Sequence, residues 1–224
     1  MTNSKIRGLV VLLLLLAASP AFATRDWYVC VANGKGKKGT KEKPAKDLGN
    51  IASKLQDGDR VFIAEGIYLG RGKSGQTQIT VPVEISAGWD PTFTKRDPWG
   101  AHKTILSGLN TSKNWEGGYR LSIDLSKWRK HGAHRVVVDG VIVDNAARNR
   151  YKDKTESMIV RMANPKTGQF PTPESGGISV AVWKLGNIEV RNCVVLNTAP
   201  TGGAFSIWGH QKSQCIVENN LACN

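Results

Sequence analysis

The chain has 224 residues, with 31 Lys and Arg against 18 Asp and Glu, which gives a formal net charge of +13. This length is enough for one domain with a buried core. The positive charge favours a polyanionic partner, and the absence of any RNA- or DNA-binding motif argues against a specific nucleic-acid ligand.

The first 23 residues are typical of an export signal. Lys5 and Arg7 form a positive n-region, the apolar run Leu9–Ala18 follows, and residues 21–23 (AFA) form a small-x-small cleavage site. The run is too short to span a bilayer comfortably, so we expect cleavage after Ala23 and no transmembrane segment beyond it; an uncleaved anchor is the alternative. Loss of the two cations lowers the charge from +13 to +11. The expected location is secreted, periplasmic or at the cell surface.

Residues 24–59 are predicted to form a strand, a basic loop and a capping helix. The strand covers Trp27–Val31, the loop covers Asn33–Lys43, and Pro44 suits the first turn of a helix. Apolar side chains then recur at spacings of three and four, which places them on one helical face. These side chains are Leu48, Ile51, Ala52 and Leu55.

From residue 60 to residue 224 the helical period disappears, and short apolar segments alternate with Gly, Asn, Asp and Pro. Many short strands separated by turn residues fit a sandwich, a barrel or a β-helix. The predicted strands are Arg60–Ala64, Gln78–Ala87, Thr104–Leu106, Tyr119–Leu125, Arg135–Val143, Ser157–Met162, Ile178–Trp183, Asn187–Leu196, Ala204–Trp208 and Gln214–Glu218.

An internal repeat separates these fold classes. The segment Gly176–Asn197 aligns with Gly202–Asn224 after one inserted residue, and Val136–Asn145 repeats the second half. The offset of 26–27 residues is the length of one three-strand coil with modest turns. Each coil cannot bury its apolar face alone, so neighbouring coils are expected to stack.

These features together resemble the right-handed parallel β-helix proteins of the pectin-lyase-like superfamily. The resemblance rests on the N-terminal order of strand, Gly/Lys loop, Pro-started helix and an apolar strand ending in EGIY (65–68), and on the repeat. It implies an all-β fold, a right-handed parallel β-helix over residues 60–224 with a short N-terminal capping helix. The segment Gly88–Gly108 also resembles one found after the first coil in these proteins, which implies structural roles for Trp89 and Phe93.

Two further features bear on the architecture. Turn asparagines form ladders in this superfamily, and Asn192 and Asn220 are the candidates here. The chain stops at a turn without a C-terminal cap, so we expect it to be truncated at its C-terminus.

The resemblance implies an enzyme acting on an acidic polysaccharide. A lyase would need a Lys or Arg base and a cation beside the uronate, whereas a glycoside hydrolase would use paired carboxylates. Stacking also aligns Asp139, Arg191 and Glu218 at one position of successive coils. Solvated surface charge is the alternative explanation for such outward groups. The candidate catalytic residues are His210, Lys212, Lys184 and Asp144, with Asp153 a further possibility.

No cofactor is evident from the residues themselves. No local group of Asp and Glu supplies a calcium site, so Ca²⁺ is implied by the resemblance alone.

The competing function is a non-catalytic module that binds glycans or other polyanions, and a purely structural repeat region of a large adhesin is a third. Trp183 and Trp208 fall near each other in adjacent coils, and exposed indoles stack on sugar rings. We expect a monomer whose partner is an acidic polysaccharide or another polyanion. The candidate substrate-binding residues are Lys37, Lys38, Lys41, Trp128, Arg148 and Arg150.

The four cysteines leave two alternatives. Cys30, Cys193, Cys215 and Cys223 lack the spacing of a metal site, and an exported location permits disulfides. Sequence does not select among the three full pairings. Buried free thiols fit equally well.

Overall fold

The computed structural model describes residues 24–72, 75–111, 118–128, 134–146, 175–183, 186–198, 203–210 and 212–223. The strands of this part of the chain form three parallel sheets. The first sheet contains β1 (Asp26–Val29), β2 (Asp59–Ala64), β5 (Val83–Trp89), β8 (His134–Asp139), β11 (Gly186–Arg191) and β14 (Cys215–Glu218). The second contains β3 (Gly66–Gly70), β6 (Thr104–Asn110), β9 (Val141–Asp144), β12 (Val194–Leu196) and β15 (Leu221–Cys223). The third contains β4 (Thr77–Ile79), β7 (Gly118–Asp124), β10 (Ser175–Ala181) and β13 (Phe205–Trp208).

The chain visits the three sheets in turn and then returns to the first. We call each set of three successive strands a rung: β2–β4 is the first, β5–β7 the second, β8–β10 the third and β11–β13 the fourth. Each strand pairs in parallel with its counterparts in the neighbouring rungs. This arrangement is a parallel β-helix, as the repeat predicts.

The interior is filled by apolar side chains that stack from rung to rung. Val138, Val190 and Val217 are register partners in the first sheet, which confirms the predicted alignment. Val138 and Val190 are fully buried, whereas Val217 is 52% exposed. Full burial of a side chain of this size contributes about 1.5–3 kcal/mol, so the stacked columns are a main source of stability.

Sharp turns join the first sheet to the second. Gly140 (φ 79°), Asn192 (φ 53°) and Asn219 (φ 51°) occupy them in the left-handed region, which Gly and Asn adopt most readily. The turns at Gly140 and Asn192, and a break between Ile79 and Val83, each divide one predicted strand into two. The three are Gln78–Ala87, Arg135–Val143 and Asn187–Leu196.

The two predicted ladder asparagines each bond to the preceding rung, but from different positions. Asn192 donates from Nδ2 to Asp139 Oδ1 at 2.9 Å. Asn220 accepts from the Cys193 amide at 2.8 Å and donates to the Val190 carbonyl at 2.8 Å. Because Arg191 pairs with Glu218, the counterpart of Asn192 is Asn219 and not Asn220.

The segment predicted as an amphipathic helix forms two 3-10 turns instead, at Leu48–Asn50 and Ala52–Lys54. Asp47 caps the first turn by accepting from the Gly49 amide at 2.7 Å. Gly49 and Asn50 lie within the first of these turns, and both residue types have a low helix propensity, which disfavours a continuous α-helix here. The predicted apolar face is nevertheless turned inward. Leu48, Ile51 and Leu55 are buried, and Ala52 packs against the same core.

The loop after β5, residues 90–103, runs along the outside of the rungs. Trp99 donates from Nε1 to the Asn192 carbonyl at 2.7 Å, so the loop reaches from the second rung to the fourth. Arg96 donates to the Ala87 carbonyl at 2.9 Å and also to Asp139 in the third rung.

Beneath this loop lies an aromatic cluster on the first sheet. Tyr28 stacks on Phe62 with ring centroids 5.2 Å apart, and Trp89 meets Phe62 edge to face. Phe93 is buried against Tyr28 with a φ of 58°. Trp89 and Phe93 are therefore packing residues, as the resemblance implies.

All four cysteines are free thiols. Cys30 and Cys193 are buried, and Cys215 and Cys223 are exposed. Burial raises the pKa of the Cys193 thiol to about 12.

Several predictions fall on residues outside the described ranges. They are the export signal (1–23), the strand Ser157–Met162, and the candidates Arg148, Arg150, Asp153 and Lys184. Within the described ranges, none of the helical segments has the length and apolar character needed to cross a bilayer.

Candidate functional site

The outer face of the third sheet carries a row of hydroxyl side chains. Leu121, Ile123, Ile178 and Val180 point into the core, so the residues that alternate with them point outward. The register places these outward residues side by side on successive rungs. They are Gln78, Ser122, Ser179 and Ser206.

Two exposed tryptophans rise beside this serine row. Trp208 is 64% exposed at the end of β13, and Trp183 is 60% exposed just beyond β10. Together with Ser122, Ser179 and Ser206 they line a groove of about 390 Å³. The Trp208 indole is oriented by its Nε1–H, which donates to Ser206 Oγ at 2.9 Å.

The floor of the groove is low where Ala181 lies. Its register partners are Asp124 on one side and Trp208 on the other. Asp124 Oδ1 accepts from the Ser126 amide at 2.9 Å, which fixes the direction of the carboxylate. The methyl of Ala181 leaves space between the indole and the carboxylate.

This groove supplies the groups that hold sugars. An exposed indole presents a flat apolar face to a sugar ring, and the serine hydroxyls both donate and accept hydrogen bonds. Among the described lining residues Asp124 is the only carboxylate. Glycoside hydrolysis canonically uses a pair of carboxylates.

The outer face of the first sheet is different, because its charges are paired with one another. Asp139 accepts from Arg96, from Arg191 Nε at 3.0 Å and from Asn192. Burial alone would raise the pKa of Asp139, but the hydrogen bonds from Asn192 and the two arginines outweigh it and hold the pKa below its usual value.

A second set of ion pairs continues across this sheet. Arg135 donates to Glu189 Oε1 at 2.9 Å and to Glu84, and Arg60 pairs with Asp26 at 2.8 Å. The predicted column of Asp139, Arg191 and Glu218 is confirmed as a register column. Asp139 and Arg191 bind each other, so they stabilise the stack.

The predicted catalytic residues lie on different elements. Asp144 is on β9 in the second sheet, where its Oδ1 accepts from Asn197 Nδ2 at 3.0 Å. His210 and Lys212 are exposed beyond β13 in the third sheet, and the Lys212 amide donates to His210 Nδ1 at 3.4 Å.

The predicted binding residues also do not form one site. Lys37 and Lys38 line one pocket with Arg25, whereas Lys41 is exposed outside that lining. Trp128 is half-buried and packs against the core.

Metal ligands are a separate question. Within the ranges the structure describes, no group of three or more His, Cys, Asp or Glu side chains converges in a way that would hold an ion. The calcium ion implied by the resemblance has no ligand set among these residues.

Comparison with family models, curated proteins and solved structures gave no match for this chain. The function is therefore argued from the geometry of the molecule.

Sequence reasoning predicted that Trp183 and Trp208 lie near each other but missed the serine row and Asp124. The available signal was the spacing of Ser179 and Ser206, which are register partners within the repeat. An isolated serine in a strand carries little information, and the row becomes visible only when the register is known.

Proposed function

We propose that this protein binds a polysaccharide chain along the outer face of its third sheet. The observation that carries the proposal is the pair of indoles, Trp183 and Trp208, which are largely exposed on one side of a groove whose floor is a row of serines. Two exposed indoles that line the same groove form an apolar patch of the kind that marks ligand-binding sites.

The row favours an extended ligand. Parallel strands are about 4.8 Å apart, so the row offers a polar side chain at that interval along the axis of the β-helix. Ser179 and Ser206 thus repeat one contact for successive units of a chain, whereas Ser122, which is 7% exposed, is largely covered. A compact ligand would use only one of them.

The proposal takes binding as the function and an acidic polysaccharide as the ligand. The acidic character rests on the charge of the chain, which is +13 in full and +11 without Lys5 and Arg7 of the export signal, and not on the groove, whose described lining contains a carboxylate. Lyase or hydrolase activity on the same polysaccharide is the second candidate. It is supported by the parallel β-helix architecture, because the superfamily that the sequence resembles acts mostly on acidic polysaccharides.

The wider proposal includes export and membership of the pectin-lyase-like superfamily. Export is supported by the n-region, the apolar run and the cleavage site of residues 1–23. A right-handed β-helix is supported by the strong preference of parallel crossovers for that hand. A capping role for the two 3-10 turns is supported by the burial of Leu48, Ile51 and Leu55 in the core.

The test uses the mature chain on a panel of uronate-containing, sulfated and neutral glycans, with and without Ca²⁺. Binding is measured by calorimetry, while unsaturated-uronate absorbance and reducing ends are recorded in the same samples. Glycan binding without unsaturated uronate or new reducing ends supports a non-catalytic binding module. Formation of either product would instead support the lyase or hydrolase candidate.

Two single variants and their double locate the ligand. Trp183→Ala and Trp208→Ala should each weaken binding roughly twofold to tenfold, because each removes one stacking surface. Ile67→Ala is the control, because Ile67 is also a large apolar side chain that is 57% exposed but lies on β3 in the second sheet. Equal affinity in the double variant and the control would overturn the groove as the binding site.

A further inference from the structure

A pocket near the N-terminus gathers four cationic side chains from separate parts of the chain. Its volume is about 390 Å³. Arg25 precedes β1, Lys37 and Lys38 belong to the basic loop, and Lys54 ends the second 3-10 turn. The remaining lining residues are Trp27 and Thr40.

Arg25 is held in place by stacking. Its guanidinium carbon lies 3.8 Å from the centroid of the Trp27 ring. Trp27 is itself fixed, because its Nε1 donates to Asp59 Oδ2 at 2.7 Å. Asp59 also accepts from the Arg25 amide at 3.2 Å and from the Gln56 amide at 2.8 Å. A stacked guanidinium keeps its edge free to donate in its own plane.

The basic loop is also fixed against the same indole. A Cβ at Gly39 would lie 2.6 Å from Trp27 Cε3, and Gly39 has a φ of 69°, so this close approach requires glycine. The Tyr28 amide donates to the Gly39 carbonyl at 2.9 Å. Lys54 Nζ donates to the Lys37 carbonyl at 2.7 Å, which ties the loop to the second 3-10 turn.

The charges of this pocket are not compensated from within the described chain. Arg60 and Arg135 on the first sheet each pair with a carboxylate. No carboxylate of the described residues lies within ion-pair distance of Arg25, Lys37, Lys38 or Lys54, and none lines the pocket. All four cations line the same pocket, so an anion placed in it would be attracted by each of them.

We propose that this pocket binds a sulfate or phosphate monoester group. A tetrahedral oxyanion has three terminal oxygens and can accept from several directions at once. The planar fork of Arg25 and the point charges of the lysines supply such donors, and Thr40 adds a hydroxyl. A planar carboxylate would engage fewer of them. The site is separate from the glycan groove and does not rest on it.

Inorganic sulfate and inorganic phosphate are the first probes, titrated into the mature chain at constant ionic strength and followed by calorimetry. Lys37→Gln/Lys38→Gln should weaken binding of the preferred anion by about tenfold. Lys35→Gln/Lys41→Gln is the matched control, because it removes the same charge from exposed positions of the same loop. The control should change affinity by less than about twofold.

A second variant tests whether the loss comes from a changed loop conformation rather than from the missing lysine charges. Arg25→Gln leaves the loop untouched and should reproduce the loss. Thermal unfolding of each variant establishes that it is folded. Equal losses of anion affinity in the pocket and control variants would show that only the net charge of the loop matters, which would overturn the site. Absence of saturable binding of both sulfate and phosphate would overturn it as well.

Sulfated and phosphorylated oligosaccharides then identify which ester the pocket takes. The preferred one should bind more tightly than its unmodified counterpart in the parent protein and lose that advantage in Lys37→Gln/Lys38→Gln. Trp183→Ala/Trp208→Ala should keep the response to the inorganic anion. Failure of the groove and failure of the pocket are thereby separate results.

Discussion

Trp208 pairs in register with Ala181 in the neighbouring rung, so the largest side chain of the third sheet stands beside a single methyl group. Asp124 lies on the other side of Ala181. The open floor of the groove is thus set by one small residue. A larger side chain at position 181 would fill this space while leaving Trp183 and Trp208 themselves unchanged.

Ala181→Phe is therefore expected to block the groove. Because Ala181 points away from the core, the free energy of unfolding should change by no more than about 0.5 kcal/mol. Glycan affinity should fall by at least about tenfold, since the ring fills the floor between Asp124 and Trp208. Calorimetry on the best glycan measures the loss, and Ala181→Ser serves as the size control. Unchanged affinity in Ala181→Phe would show that the ligand does not use this floor.

Arg120 is a buried cation inside the β-helix, with 1% of its surface exposed. It donates to the Ser107 carbonyl at 2.8 Å, to Thr77 Oγ1 at 3.1 Å and to the Tyr68 carbonyl at 3.0 Å, and so links the second and third sheets.

Arg120→Met is expected to lower the free energy of unfolding by about 2–4 kcal/mol, because it leaves these buried acceptors without their donor. Urea unfolding measures the change. The matched control is Arg60→Met, which removes an exposed arginine paired with Asp26 and should cost less than about 1 kcal/mol. Similar midpoints for the two variants would contradict a structural role for Arg120.

Asp139 should make the stability depend on pH in the acid range. Its pKa is lowered in the folded protein, so folding favours the carboxylate. The resulting stabilisation is present above the ordinary aspartate pKa and is lost as the pH falls through the folded-state pKa.

Asp139→Asn should consequently be less stable than the parent at pH 7, with a gap that narrows below about pH 4. The measurement is the free energy of unfolding in urea at a series of pH values from neutral to acid. A gap that stays constant on acidification would exclude titration of Asp139 as its source.

Thiol reactivity should divide the four cysteines into two classes. Cys215 and Cys223 are exposed, whereas Cys30 and Cys193 are buried. With its pKa raised to about 12, Cys193 carries almost no thiolate at pH 8. An aromatic disulfide reagent should react quickly with two thiols in the native protein and with all four after denaturation.

Single substitutions assign these thiols. Cys215→Ser should remove one fast thiol, and Cys193→Ser should remove one slow thiol. A native protein with no fast thiols, or a denatured one with fewer than four, would contradict the free state of the cysteines.

The rung-to-rung register could be predicted because two independent features agree on it. The inward column of Val138, Val190 and Val217 and the outward column that contains Asp139 and Arg191 share one offset, since side chains alternate along a strand. An apolar column alone would leave the register less certain, because valine fits several alignments.

The strand boundaries could not be predicted in the same way. Val141–Asp144 follows His134–Asp139 after the single residue Gly140, so the interruption of the apolar pattern is only the dipeptide Asp139-Gly140. Asp-Gly is a turn signal, but an isolated polar residue and a glycine also occur within strands, and the left-handed φ of Gly140 is visible only in the structure. Strands β3 and β15 are short and were hidden for a similar reason.

The candidate sites were only partly visible in the sequence. Lys37 and Lys38 stand out as a local cluster, but Arg25 and Lys54 join them through folding, from elements on either side of the loop. In the groove, the indoles stand out by their size, whereas the serines that line it with them have no local signature. The sequence shows which residue types lie close together along the chain. Which distant residues line the same pocket depends on the strand register and on the path of the loops.

The hydrogen bond from Trp99 to the carbonyl of Asn192 changes how this stack should come apart. In a solenoid held only by contacts between adjacent rungs, unfolding can start at one end and advance a rung at a time. Here one hydrogen bond joins the second rung to the fourth and bypasses the third, so release of the fourth rung is expected to cost about 1 kcal/mol more than its contacts with the third rung alone. Fraying from the C-terminal side is therefore expected to meet this additional resistance when it reaches Asn192.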